Sequence, residues 1–170
     1  MNKANELPQM NSVAPSLQLA TEFIWREAEL LDRKDYHTWN ALWTDTGVYV
    51  VPIDHDTTDF ASTLNYAYDD ARMRAMRLER LTSGYSVSAV DAARTVRTVS
   101  RFVEVPTDDD QVIEVNSAQL LVAYKREVHM LFAADLTHRL RFTEDGIRLE
   151  QKVVRLINST DSLNALGFLL

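Results

Sequence analysis

Alternation dominates the second half of the chain. Val128, Met130, Phe132, Ala134, Leu136, Leu140 and Phe142 share one face of an extended segment, and Glu127, His129, Asp135, Thr137, Arg139 and Arg141 share the other. A period of two with one apolar and one wetter face predicts a long antiparallel strand. Only His138 interrupts its apolar side. Thr143-Glu144-Asp145-Gly146 predicts a hairpin turn. Residues 147–157 return with a mixed phase that calls for a β-bulge. Upstream, residues 95–105 read as a strand whose phase changes between Val96 and Val99, again suggesting a bulge. Residues 106–110 read as a turn, and 112–124 as the returning strand.

The first half has a helical period. Leu17, Ala20, Ile24, Ala28 and Leu31 follow helical spacing, and Leu19, Phe23 and Leu30 widen the apolar face enough to pack on a sheet. Ser12 or Ser16 is suited to cap this helix, and Pro15 is tolerated in a first turn. Asp32-Arg33-Lys34-Asp35 breaks the pattern. Asp35 is placed to cap a short second helix that buries Tyr36, Trp39, Leu42 and Trp43. A turn at 44–47 leads to a strand at 48–51, which Pro52 ends or places at an edge. Residues 53–63 read as loop. A helix is expected over 64–80, with Leu64, Ala67 or Tyr68, Ala71, Ala75 and Leu78 buried, Arg72, Arg74, Arg77 and Arg80 on its other side, and Gly84 as terminator. Residues 83–93 carry no decisive pattern, and residues 1–14 read as a loose, flexible arm. Near the end, Leu163, Leu166, Phe168, Leu169 and Leu170 are too apolar to stay in solvent.

Helices first and long bulged hairpins afterwards predict an α+β fold: N-terminal helices packed on a strongly curved antiparallel sheet, a cone, in a single domain spanning 1–170. The composition is that of a globular protein, 46% apolar and 25% charged. A net charge of −7 argues against non-specific nucleic-acid binding. With no cysteine, the chain has no disulfide, no iron–sulfur ligation and no thiol catalysis of its own. Residues 1–12 lack the apolar core of a signal peptide, and no apolar run approaches the ~20 residues of a transmembrane helix, so a cytoplasmic protein without membrane attachment is expected.

The chemistry on offer is sparse. His37, His55, His129 and His138 contain no pair at His-x-x-x-His spacing. His129 and His138, nine apart on one strand, point to opposite faces, so no metal site is expected. A cone pocket could support general acid–base work by Asp35, Tyr36, Tyr49, Asp135 or His138. His138 is the sharpest candidate because it sits on the apolar face of the best strand. The plainer alternative is a core or interface histidine. Nucleophile elbows and glycine-rich phosphate loops are absent. Arg72, Arg74, Arg77 and Arg80, then Arg94, Arg97 and Arg101, then Arg139 and Arg141, read either as a solvated face of internal ion pairs or as a polar protein–protein surface. Trp25, Trp39 and Trp43 read as core filler or as partner anchors.

One family joins these pieces in this order. Phe23-x-x-Arg26-Glu27-Ala28-x-Leu30-Leu31-Asp32, Trp39-x-x-Leu42-x-x-Asp45, Tyr49-x-x-Pro52, Tyr68-Asp69-Asp70, Leu78 to Gly84 and Arg94-Thr95-Val96-Arg97 through Val103 resemble the small (beta) subunit of bacterial aromatic-ring-hydroxylating dioxygenases, which have a nuclear-transport-factor-like cone fold. The chain departs from that pattern at Asp91-Ala92-Ala93, where the family usually has proline, and at His138-Arg139-Leu140. The resemblance implies a non-catalytic structural subunit, with no catalytic, cofactor-binding or metal-binding residues of its own. It implies a large (alpha) subunit partner carrying a Rieske iron–sulfur centre and a mononuclear non-haem iron, in a hexamer of three large and three small chains. A reductase and in some cases a ferredoxin would feed NAD(P)H-derived electrons to the insertion of O₂-derived oxygen into an aromatic ring. Two alternatives stay open: a stand-alone cone-fold isomerase, dehydratase or cyclase using His138 with an aspartate or tyrosine, and a cone-fold binding protein with no enzyme attached.

Overall fold

The computed structural model describes residues 14–83, 93–160 and 167–170. Helix α1 (Leu17–Asp32) starts at Ser16, whose hydroxyl accepts from the Leu19 amide at 3.3 Å. Helix α2 (Tyr36–Asn40) starts at Asp35, whose carboxylate accepts from the Thr38 amide at 3.2 Å. Each cap satisfies an amide that the first helical turn leaves without a partner. The chain then forms β1 (Trp43–Pro52), β2 (Asn65–Asp69), α3 (Ala71–Thr82), β3 (Arg94–Val105), β4 (Val112–Lys125), β5 (Val128–Thr143) and β6 (Gly146–Leu156). They make one six-stranded sheet in the order β2-β1-β6-β5-β4-β3. All neighbours are antiparallel except β1 and β6, which run parallel.

Helix α1 lies across β3 and β4 and buries Ala20, Ile24, Ala28, Leu30 and Leu31 against the sheet. Trp39, Trp43 and Tyr49 pack edge-to-face, with centroids 5.3–6.4 Å apart, and fill the end of the core beneath α2. The β5–β6 hairpin turns at Glu144-Asp145, with Gly146 at φ 110 where a side chain would be strained. The expected bulge in the last strand is at Glu150: Leu149 pairs with Leu140 and Gln151 with Arg139, leaving Glu150 between them. That extra residue turns both Leu149 and Lys152, an odd number apart, toward the core.

Three expectations are corrected. Residues 64–80 are not one helix: 65–69 pair with β1, and Asp70 caps a helix that starts at Ala71 by accepting from the Met73 amide at 2.8 Å. The later start rotates the buried face, so Leu64, Ala71 and Ala75 are exposed while Arg74 and Leu78 are buried. The bulge of β3 falls between Ser100 and Val103 rather than between Val96 and Val99. The phase of 95–99 is instead set by Asp32, which draws Thr95 and Arg97 to the core side and leaves Val96 69% exposed. Trp43 and the residues after it extend β1 rather than α2. Phe168, Leu169 and Leu170 are buried as expected, whereas Leu163, Leu166 and Gly84, like residues 1–13, lie outside the described residues.

Gly47 sits where β1 crosses β6. A Cβ there would lie 2.7 Å from the Leu149 carbonyl oxygen and 2.9 Å from the Trp43 ring. Gly47→Ala is therefore expected to lower stability by about 1–3 kcal/mol, read as a lower urea midpoint at unchanged slope.

Candidate functional site

The interior of the cone is unexpectedly polar. The register aligns Tyr49 of β1, Lys152 of β6, His138 of β5 and Val115 of β4 in one row across the core face. Glu27 descends onto this row from α1. The Lys152 ammonium donates to both Glu27 carboxylate oxygens, at 2.8 and 3.1 Å, and the Trp39 indole donates to the same carboxylate at 2.6 Å. All of these groups are buried, and Lys152 and His138 are 0% exposed. Burial pushes the Glu27 carboxyl toward its neutral form, but the Lys152 charge and the hydrogen bonds prevail and hold its pKa below the usual value. Burial lowers the Lys152 pKa, with Glu27 opposing. His138 is driven down to about 3, mainly by burial and then by the Lys152 charge, so it is neutral. Among the described residues, neither of its ring nitrogens has a hydrogen-bond partner.

A second carboxylate of α1 works one turn further on. Asp32 accepts from the Thr95 hydroxyl at 2.8 Å, the Arg97 amide at 2.9 Å and the Arg97 guanidinium at 2.9 Å. Arg97 in turn donates to the Leu169 carbonyl oxygen at 3.1 Å. The Leu170 amide donates to the Tyr49 hydroxyl at 3.3 Å, and Phe168 meets Phe132 edge-on at 5.8 Å. Residues 168–170 are thus anchored within the core beside this polar row. Burial raises the Tyr49 pKa far above the usual phenol value.

Of the residues singled out from sequence, the fold brings only Tyr49 and His138 into one row. Tyr36 is buried, and burial raises its pKa. Asp35 is spent on its helix cap. Asp135 lies on the opposite sheet face, where it binds Arg101 and stands 3.7 Å from His55. His129 also faces outward, against the Tyr124 ring at 4.8 Å. Trp25 is 54% exposed, its indole bonded to the Val99 carbonyl, whereas Trp39 and Trp43 are core. The basic side of α3 is only partly solvated. Arg74 is buried 4.2 Å over the Trp43 ring and donates to the Gly47 carbonyl, and Arg77 grips Asp69.

Sequence reasoning passed over Glu27 and Lys152. Glu27 was detectable: Phe23, Ile24, Leu30 and Leu31 surround it at helical spacing, so it lies within the apolar face. Lys152 was not, because its inward aim depends on the bulge at Glu150. Among the described residues, no cluster of three or more histidines, aspartates or glutamates is placed to hold a metal ion.

The outer sheet face has two halves. One carries a connected ion-pair ladder, Glu114–Arg139–Glu150–Arg141–Asp109. The other is apolar and open. Val96, Val122 and Leu131 stand in one row, and Thr98, Leu120 and Ala133 in the next. Leu120 is 55% and Leu131 67% exposed. Among the described residues, no helix is long and apolar enough to cross a membrane.

The geometry defines a sheet whose inner face carries paired polar groups beneath α1 and whose outer face is partly apolar. The comparisons agree. A family described as "Ring hydroxylating beta subunit" matches residues 26–162. The chain is 30% identical over 168 residues to the benzene 1,2-dioxygenase subunit beta of Pseudomonas putida, covering 92% of this chain and 90% of that protein. Its fold is similar to the beta subunit of benzoate 1,2-dioxygenase from Burkholderia mallei, with a TM-score of 0.76, 19% identity and coverage of 94% and 100% of the two chains. It is also similar to a chain of naphthalene 1,2-dioxygenase with indole bound in its active site, with a TM-score of 0.77, 18% identity and coverage of 91% and 85%. The chain belongs to the family of ring-hydroxylating dioxygenase beta subunits, and its fold is the nuclear-transport-factor-like cone.

Two outcomes follow from this buried polar row. Lys152→Met strands the Glu27 charge and is expected to cost about 3–5 kcal/mol in urea unfolding, much of it recovered by adding Glu27→Leu. The unfolded chain protonates His138 near pH 6.5, whereas the folded chain resists protonation down to about pH 3. Stability therefore falls as pH drops through that window, by up to about 1.4 kcal/mol per pH unit. His138→Leu should flatten that slope in urea titrations run across the range.

Proposed function

We propose that this chain acts as the structural small subunit of an aromatic-ring-hydroxylating dioxygenase and carries no catalytic residue itself. It joins a large subunit that holds the Rieske centre and the mononuclear iron, in a cytoplasmic hexamer of three large and three small chains. A reductase, with or without a ferredoxin, supplies NAD(P)H-derived electrons to that assembly. There, oxygen from O₂ is inserted into an aromatic ring. The observation that carries this reading is the contrast between the two sides of the sheet. The polar groups of the inner face are turned on one another, Glu27 on Lys152 and Asp32 on Arg97, beside the anchored segment 168–170. On the outer face, Val96, Leu120, Val122 and Leu131 form a contiguous apolar surface of the kind that marks protein contacts. A stand-alone enzyme working through His138 has less support, since that ring is fully buried beneath α1 and neutral across the physiological range.

Co-expression with the large subunit is expected to give one complex of fixed stoichiometry by light scattering, with all its iron in the larger chain. Leu131→Asp and Val122→Asp should abolish or strongly weaken capture of the large chain. The melting temperature of the isolated variants should stay within a few degrees of the parent, since both side chains are exposed. Stoichiometric iron in the isolated small chain, or turnover of a small molecule by it alone, would reject this function.

A further inference from the structure

Beside the apolar rows lies a groove of about 510 Å³, lined by Phe60, Arg101, Asp135, Thr137, Gln151 and Arg155 among others. It continues the patch directly, because Asp135, Ala118 and Ser100 form the next row after Ala133, Leu120 and Thr98. Two features make it a built site. The bulge of β3 holds Arg101 at φ 58, a left-handed conformation uncommon for a residue with a side chain, and so aims it at Asp135. The loop between β1 and β2 folds onto the sheet, placing Phe60 under the Arg155 guanidinium at 5.3 Å and His55 near Asp135 at 3.7 Å.

The charges of the groove are unevenly matched. Asp135 is bonded by Arg101, and Glu114 is held by Arg139 at 3.4 Å. Arg155 makes no ion pair among the described residues. One of its nitrogens donates to the Thr137 hydroxyl at 3.2 Å, and its plane rests on Phe60. Partial burial works against its charge, with Asp135 the leading opposing influence. A guanidinium of this kind, oriented by an aromatic ring and with donors to spare, is suited to a two-pronged bond with a carboxylate.

We propose that the Arg155 groove receives an aspartate or glutamate side chain of the large subunit, fixing the register of a contact whose area comes from the neighbouring apolar rows. This rests on the reading that the outer sheet face docks the large subunit. A two-fold contact between copies of this chain, centred on the groove, would bring Arg155 toward its own like charge, so a different chain is the better match.

The test measures capture of the co-expressed large subunit by the parent chain and by Arg155→Met and Arg155→Lys. Arg155→Met should weaken binding about tenfold or more and flatten its dependence on salt, while the isolated variant melts like the parent. Arg155→Lys keeps the charge and the stem packing and should recover part of the affinity. Unchanged affinity and salt dependence in a folded Arg155→Met would overturn the proposal while leaving the docking face intact. So would a change confined to self-association of the isolated chain, which would assign the groove to a second copy. Failure of the parent chain itself to capture the large subunit would instead remove the functional reading on which this proposal rests.

Discussion

The structure depends first on the buried pair of Glu27 and Lys152. Two full charges are held out of water by each other, by the Trp39 indole and by the close packing of α1 on the sheet. Such a pair adds little net stability compared with an apolar pair, but it is intolerant of any arrangement in which one partner is lost. It therefore specifies how α1 sits on the sheet. Sliding or rotating the helix by one residue would bury a bare carboxylate beneath Ile24 and Leu31. Asp32, five residues on, makes the same demand of β3 through Thr95 and Arg97. One helix thus fixes its own orientation twice, once on the interior strand β6 and once on the edge strand β3.

That arrangement explains why a cone fold able to enclose a pocket can serve as a scaffold. The row Tyr49–Lys152–His138 is the kind of polar line from which an acid–base site could be made. Here Lys152 is committed to Glu27, and the Tyr49 hydroxyl accepts from the Leu170 amide. His138, next to Lys152 on its other side, is left neutral and titrates only in strong acid. The outer face reverses the usual economy of a surface: on one half, charges satisfy one another in a ladder, and on the other, apolar side chains are left open.

Much of this was legible in the chain. Period-two alternation located β5 and its neighbours, and the caps at Ser16 and Asp35 lie where the polar residues indicated. The burial of His138 and the outward aim of His129 followed from their odd spacing on one strand. Two of the misread stretches share a cause, which is polar residues recruited inward by partners distant in sequence. Thr95 and Arg97 face the core because Asp32 waits there, 63 and 65 residues away. Arg74 is buried because the Trp43 ring and the Gly47 carbonyl receive it. Residues 65–69 form a strand because β1 offers an edge to pair with, which no local propensity reveals. Lys152 was hidden by the single-residue bulge beside it.

The parallel pairing of β1 with β6 has a consequence for how the chain comes together. β1 has only two neighbours in the sheet, the short β2 and the last strand, β6. During synthesis its apolar run Val48–Val51 must wait, half-paired, while about a hundred further residues leave the ribosome. Closure of such a sheet is a late, non-local event that makes folding slow and leaves a sticky strand uncovered meanwhile. The N-terminal half is therefore the part of the nascent chain most in need of a chaperone.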